Sequence, residues 1–320
     1  GIKPVIVAIV MEAALKIGKR ALIRPLHLWT AVLAFLAMFF LKIPFPIVVI
    51  AAGLVGLGFA RFRPEIFSPS HTMAKENTDS IGTLRGKPHH TTTSFHHTSP
   101  TRVLAVCLAL WIFPFLTLNV LSSQTSFFSD IYLFFTQAAF VTFGGAYAVL
   151  AYVSQAAIDS YGWLTHGQMM DGFALAETTP GPLIMVLQFV GFMAGWNQAE
   201  SYSQTGSAVL AALLTTYSTF LPCFLFIFLG APYIELLRGN RNLNGALSTI
   251  TAAVVGVIMN LAMVLGLSVF WPTGWEGEFQ AMGVIVFLAA FFALYWLKFH
   301  ILWVLLIGAA LGLGITLGNG

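Results

Sequence analysis

Long hydrophobic runs recur along this chain, at about 2–16, 26–42, 44–61, 103–121, 131–154, 181–197, 206–230, 245–270, 281–298 and 299–318. Each predicts a helix, because about 20 apolar residues in helical form cross a hydrocarbon core roughly 30 Å thick. Several runs are short for that task. Two stretches break the pattern. Residues 62–101 are rich in Ser, Thr, His, Pro, Lys and Asp with no hydrophobic periodicity, which reads as a flexible linker. Thr165 to Thr179 is polar and amphipathic, with Tyr161 and Trp163 just ahead of it as expected interfacial anchors. The pattern predicts an all-α integral membrane protein, a polytopic helical bundle.

Composition agrees. The chain is 58% hydrophobic and 8% charged with a mean hydropathy of +0.85, whereas a globular domain carries about a quarter charged residues. A water-soluble globule is excluded. Cys107 and Cys223 fall inside apolar runs and read as buried thiols, not a disulfide framework or a metal site. His89-His90 and His96-His97 lack a Cys or carboxylate at ligand spacing, so a solvated loop is favoured there over a metal site. No phosphate-binding Gly-Lys motif and no nucleophile–base pairing is present, so the expectation is a non-enzyme with no cofactor and no nucleic-acid partner.

The two ends of the chain resemble each other. With a constant offset of 256, residues 34–58 match 290–314 at nine of 25 positions, among them Leu41/Leu297, Lys42/Lys298, Gly56/Gly312 and Gly58/Gly314. A looser match pairs the helix opening at Gly1 with the one opening at Gly245; shared apolar composition is the competing explanation. On this reading residues 1–62 close a first repeat whose front is expected upstream of Gly1, and the start at Gly rather than Met suggests a fragment or a processed end. Residues 63–101 are then a cytoplasmic linker, 102–122 a connecting transmembrane helix and 123–320 a second repeat. Lys16, Lys19, Arg20 and Arg24, the linker cations, and Arg238 with Arg241 mark the cytoplasmic side, while Lys42 and the loop carrying Glu276 and Glu278 fall outside. Equivalent loops on opposite sides indicate inverted-topology repeats; a parallel duplication is the alternative.

The chemistry concentrates where apolar runs are broken. Gly144 and Gly145 follow Thr142 inside the 131–154 run, and Thr178-Thr179-Pro180-Gly181-Pro182 precedes the 181–197 run. Pro suits the first turn of a helix and Thr the position before it, so a helix is expected to begin near Pro180, capped by Thr178 and Thr179 and presenting free amides to an anion. Glycines without a ligand also serve close helix packing, the plainer reading of Gly144 and Gly145 alone.

The ordered series Phe140 to Tyr147, Tyr161 to Thr165, Asp171 to Pro182, Phe189-Val190-Gly191-Phe192, Phe220 to Cys223, Ala231 to Glu235 and Ala252 to Gly256 closely resembles the second half of the chromate ion transporter family. The resemblance implies a bacterial inner-membrane, multi-pass carrier of two oppositely oriented halves, with broken or re-entrant helices, that exports chromate by alternating access. Candidate substrate-binding or gating residues are Thr142, Gly144, Gly145, Glu177, Thr178, Thr179, Pro180, Gly181 and Pro182. A carrier of sulfate or another oxyanion, or a non-transporting or channel-like membrane protein, is the alternative, and a homodimer stays open. The Gly-Gly and Pro-Gly-Pro motif of a first half is not found here.

One feature opposes an anion. No Lys or Arg occurs from 103 to 237, yet Asp130, Asp159, Asp171, Glu177, Glu200 and Glu235 do. Glu177 lies three residues before Pro180, close enough to repel the substrate unless it is protonated or turned away. A buried carboxyl there could carry protons as the coupling ion; a bound cation is the competing reading.

Overall fold

The computed structural model describes residues 1–62, 100–121, 126–142, 145–179, 181–199, 203–230, 233, 240–272 and 279–318. The linker at 63–99, Gly144, Pro180, Arg238, Glu276 and Glu278 lie outside them. Twelve α-helices are described: α1 (Ile2–Ala21), α2 (Pro25–Phe39), α3 (Phe45–Phe62), α4 (Pro100–Leu121), α5 (Ser126–Val141), α6 (Ala146–Gln155), α7 (His166–Thr178), α8 (Val186–Asn197), α9 (Gln204–Gly230), α10 (Arg241–Phe270), α11 (Ala281–Tyr295) and α12 (Ile301–Gly318), with no strand among the described residues. The chain is an all-α, multi-pass membrane protein. Four of these helices, α3, α4, α9 and α10, are long and apolar enough to cross a bilayer; α2, α5, α8, α11 and α12 are shorter and apolar. The 131–154 run is split into α5 and α6, as the glycine pair predicts.

The core is built on α1 and α10. Val5 to Val10 of α1 are buried on every side, the pattern of a helix enclosed by others rather than one facing lipid. Around it pack α7, α10, α11 and α12, while α10 packs against α1, α2 and α3. Gly18 of α1 faces Val255 and Gly266 of α10 faces Val7, so the two helices run antiparallel. Glycine is required where backbones touch: a Cβ on Gly56 of α3 would lie 2.5 Å from Gly245 O and 2.8 Å from Ala246 Cα of α10. Its counterpart Gly312 of α12 packs in the same way on Gly1, at the start of α1, where a Cβ would lie 2.7 Å from the Gly1 nitrogen.

The fixed offset found in the sequence reappears in backbone geometry. Lys42 (φ 51°) and Lys298 (φ 54°) both adopt the left-handed conformation. Ile43 N donates to Ala37 O at 3.1 Å and Phe299 N to Ala293 O at 3.1 Å; Ile47 N donates to Pro44 O and Trp303 N to His300 O, each at 3.0 Å. Both hairpins thus end their first helix with the same six-residue-back bond and left-handed residue. Each long helix packs on the hairpin of the other end, α10 on α2–α3 and α1 on α11–α12. An antiparallel crossing of α1 and α10 is the arrangement that the expected inverted repeats call for.

Close packing by small residues recurs between α8 and α9, where Gly195 lies against Ser207 and Ala208 and Gly191 against Thr215. Trp163 corrects the expected interfacial anchor: it is 4% exposed, stacked on Tyr161 at 4.2 Å between ring centroids and edge-on to Phe127 and Phe134. Asn197 Nδ2 donates to Trp163 O (2.8 Å). A rigid aromatic cluster therefore holds the segment before α7 in place.

Candidate functional site

Helix α7 begins with a reciprocal cap. Gln168 N donates to Thr165 Oγ1 (3.2 Å) and Thr165 N to Gln168 Oε1 (3.0 Å), two free donors satisfied at once. The cap sets the phase of the helix, and hence which side chains its far end turns to each side. Thirteen residues span about 20 Å at 1.5 Å each, too short to cross a hydrocarbon core roughly 30 Å thick, and α7 buries Met169, Met170, Gly172 and Phe173 against its neighbours.

At that far end the expected capping does not occur. Thr178 Oγ1 donates back to Ala174 O (2.9 Å) and Thr179 Oγ1 to Leu175 O (2.7 Å). The hydroxyls therefore bond back to carbonyls within their own helix, and Leu175 O accepts from Thr179 N as well. Pro180 itself lies outside the described residues; Pro182 precedes a single tight turn, Leu183–Met185, and α8 follows from Val186. Thr142 behaves like the other threonines, donating to Ala138 O at the end of α5. Gly145, with φ 108°, stands just before α6 in a conformation that favours glycine.

Two different environments flank the end of α7. On one side, Gly172, Leu175, Thr179, Gly181, Pro182 and Gln188, with residues of α8 and Ala212 of α9, wall a cavity of about 440 Å³. One water occupies roughly 30 Å³ in the liquid, so the space is ample for an oxyanion and part of its hydration. Among the described residues no Asp, Glu, Lys or Arg lines it; Thr179, Gln188 and backbone provide its polarity. A cavity of about 340 Å³ between α1, α11 and α12 is walled by apolar side chains and glycine, and offers an anion no side-chain donor.

On the other side stands Glu177. It does not line the cavity; its Oε1 accepts a hydrogen bond from the Tyr147 hydroxyl of α6 at 2.9 Å. Glu177 is turned away from the space where Thr179, Gly181 and Pro182 meet. Burial raises its pKa above the usual carboxylate value, the Tyr147 bond opposes that rise, and the charge of Glu12 adds to it. Glu12, on α1, is 5% exposed and carries an ion pair with Lys16 one turn on. Sequence reasoning missed Glu12, Lys16, Tyr147 and Gln188. The signal for Glu12 was present, since it is a lone acid in an apolar helix with a Lys four residues later.

The fold also brings a cation, Lys3, to a region without any in its own sequence. Helix α1 lies along α7, with Lys3 Nζ beside Gly167 at its start. Thr179, Gly181 and Pro182 are thus gathered at one cavity, and Glu177 and Tyr147 tie α6 to its back wall. Thr142 and Thr178 do not line it. Among the described residues no three His, Cys, Asp or Glu side chains group as metal ligands.

Comparisons with known proteins bear on this arrangement. The family model for chromate transporters matches residues 129–313. The chain is similar to a chromate transport protein of Pseudomonas aeruginosa, 31% identical over 208 residues, 58% of this chain and 46% of that protein. It is also similar to a probable chromate transport protein of Synechococcus elongatus, 32% identical over 146 residues, 45% of this chain and 34% of that one. An uncharacterized transporter of Methanocaldococcus jannaschii is 28% identical over 170 residues, 53% and 37% of the two chains. The alignments cover less than half the length of each of these relatives. No solved structure matches.

Proposed function

Because the chain belongs to the chromate transporter family, we propose that it forms part of a multi-pass carrier of the bacterial inner-membrane type that moves chromate outward. Residues 1–62 serve as the close of one half, 63–101 as a cytoplasmic linker, 102–122 as a connecting span and 123–320 as the other half. The halves rock against each other to expose the site alternately to each side.

The observation that carries this reading is the uncharged cavity beside Thr179, Gly181, Pro182 and Gln188. A carrier must hold a dianion and then let it go. Neutral donors suit that task, because a fixed cation in a low dielectric would retain the ion. The repulsion expected from Glu177 is relieved by its turning toward Tyr147. Moving two negative charges out of a cell across 100 mV gains about 4.6 kcal/mol, at about 2.3 kcal/mol per charge, so membrane potential is enough to drive efflux without a coupling ion.

Gln188→Leu tests the cavity. It keeps the side chain's bulk and removes its donor and acceptor. In cells producing the full-length protein, this variant should lose chromate resistance several-fold at an unchanged amount of membrane-inserted protein. Undiminished resistance would move the site elsewhere. Sulfate, which shares the charge and shape of chromate, is the competitor to include; protection by sulfate but no chromate efflux would assign the cavity to a sulfate carrier.

A further inference from the structure

Two cavities away from the candidate site are one cavity built twice. The first, of about 210 Å³, lies in the α2–α3 hairpin against Ala253 of α10; the second, of about 340 Å³, lies in the α11–α12 hairpin against Val5 of α1. Of the ten hairpin residues that wall the first, nine have their counterpart 256 positions on in the wall of the second, among them Ala37/Ala293, Ile43/Phe299 and Val55/Leu311. Most of these pairs differ in residue type, so the gap persists while side chains of different size exchange around it. The one side-chain hydroxyl in either wall, that of Thr30, donates to Leu26 O at 2.8 Å. Such an apolar space stays dry and takes up hydrocarbon. Each cavity also reaches the surface, since Leu33 in one wall and Ile285 in the other are well exposed. Val55 stands ten residues past the start of α3 at Phe45, and Leu311 ten past the start of α12 at Ile301. That is about 15 Å in each helix at 1.5 Å per residue, the depth of one leaflet of a hydrocarbon core roughly 30 Å thick.

A lysine stands at the turn end of each cavity. Ile43 and Phe299 belong to the walls, and the residues before them are Lys42 and Lys298, both exposed. These lysines are the two non-glycine residues with positive φ among the described residues. Glycine adopts that backbone without strain, yet both hairpins place a cation there. Neither hairpin, 25–62 or 281–318, contains an Asp or Glu to pair with it. Exposed Trp296 and Trp303 flank Lys298, a residue type enriched where membrane meets water.

We propose that each hairpin binds one anionic phospholipid, an acyl chain lying between its two helices and the headgroup phosphate at Lys42 or Lys298. A second copy of the chain does not fill both places. A two-fold interface sets one patch against the same patch of the partner and leaves the repeat-related patch uncovered, whereas lipid reaches both. The site is separate from the cavity beside Thr179 and does not depend on which ion the protein moves.

Photolabelling tests this in the full-length protein, held in liposomes of phosphatidylglycerol and phosphatidylcholine. The probe is phosphatidylglycerol with a diazirine on one acyl chain, and peptide mass spectrometry reads the labelled residues. Label should concentrate within 30–55 and 286–311, well above that on the exposed helix α4. It should fall as unlabelled phosphatidylglycerol is raised, and not with added phosphatidylcholine. Lys42→Gln and Lys298→Gln should each weaken binding at their own hairpin about fivefold, the weight of one cation near an anionic surface. Ala37→Leu and Ala293→Leu fill the gap from equivalent positions and should remove label from their own hairpin with the lysine intact. In every variant the other hairpin reports whether the protein is still folded. Label spread evenly over the exposed helices, or equal competition by the two phospholipids, would mean bulk lipid only and overturn the proposal. So would label that neither lysine variant changes. Crosslinking of a hairpin to a second copy of the chain, in place of label, would give that face to a dimer and overturn it as well.

Discussion

Replacing Gly256 by Ala adds one methyl group where α10 crosses α2. The new Cβ would lie 2.9 Å from Phe35 N and 3.0 Å from the Ala31 carbonyl carbon, with the Ala31 oxygen closer still. All three are backbone atoms, so no side-chain rotation relieves the overlap and the helices must move apart. Overpacking of this kind costs about 1–3 kcal/mol, and the higher helix propensity of Ala returns at most about 1 kcal/mol. A net loss of about 1–2 kcal/mol is expected, roughly five- to thirty-fold in the folding equilibrium. Gly58→Ala on α3 is the control, since a Cβ there meets nothing within 4 Å, and it should be neutral or slightly stabilising. Reversible unfolding in mixed micelles, titrated with a denaturing detergent, compares the two variants. If Gly256→Ala unfolds at the same point as Gly58→Ala, the close crossing of α2 and α10 is not what requires glycine at that position.

Two further outcomes follow from the same geometry. Lys42 and Lys298 occupy twin turns; if the halves are oppositely oriented, a cysteine at Lys42 should react with an impermeant thiol reagent applied outside intact cells and one at Lys298 should not, and equal labelling of both would contradict the inverted arrangement. Thr179 lines the cavity and Thr178 does not, so Thr179→Val should slow chromate efflux at least several-fold while Thr178→Val leaves it near normal. Equal loss in the two would mean that the hydroxyls act only through the end of α7, where both now donate to carbonyls.

The helical membrane fold was legible because apolar runs of spanning length have few alternatives in water or lipid, and the break between α5 and α6 was legible in its glycines. Helix α7 was harder to see, because a short amphipathic helix lacks the continuous apolar run that marks a span. The repeat was visible at Lys42 and Lys298, but their left-handed backbone was not, since lysine has no preference for it. At the site, the residues around Gly181 were found and their roles were not. A threonine hydroxyl can bond back to the carbonyl one turn behind it, and here it did so rather than accept from an amide ahead. The turning away of Glu177 follows from helical phase: residues two apart on a helix point about 200° from each other, so Glu177 and Thr179 face opposite sides. Glu12 carried a local signal, a lone acid in an apolar helix, but which elements enclose it was not legible, because only the packing of α1 sets that.

Chromate flux through the full-length protein in sealed liposomes, at equal pH on both sides and with the membrane potential clamped, tests the central claim most directly. The account predicts flux toward the positive side that rises with the imposed potential, reverses when the potential is reversed, and falls several-fold in Gln188→Leu. Flux that ignores the potential, or that is the same in Gln188→Leu as in wild type, would contradict a charge-moving oxyanion carrier built on this cavity.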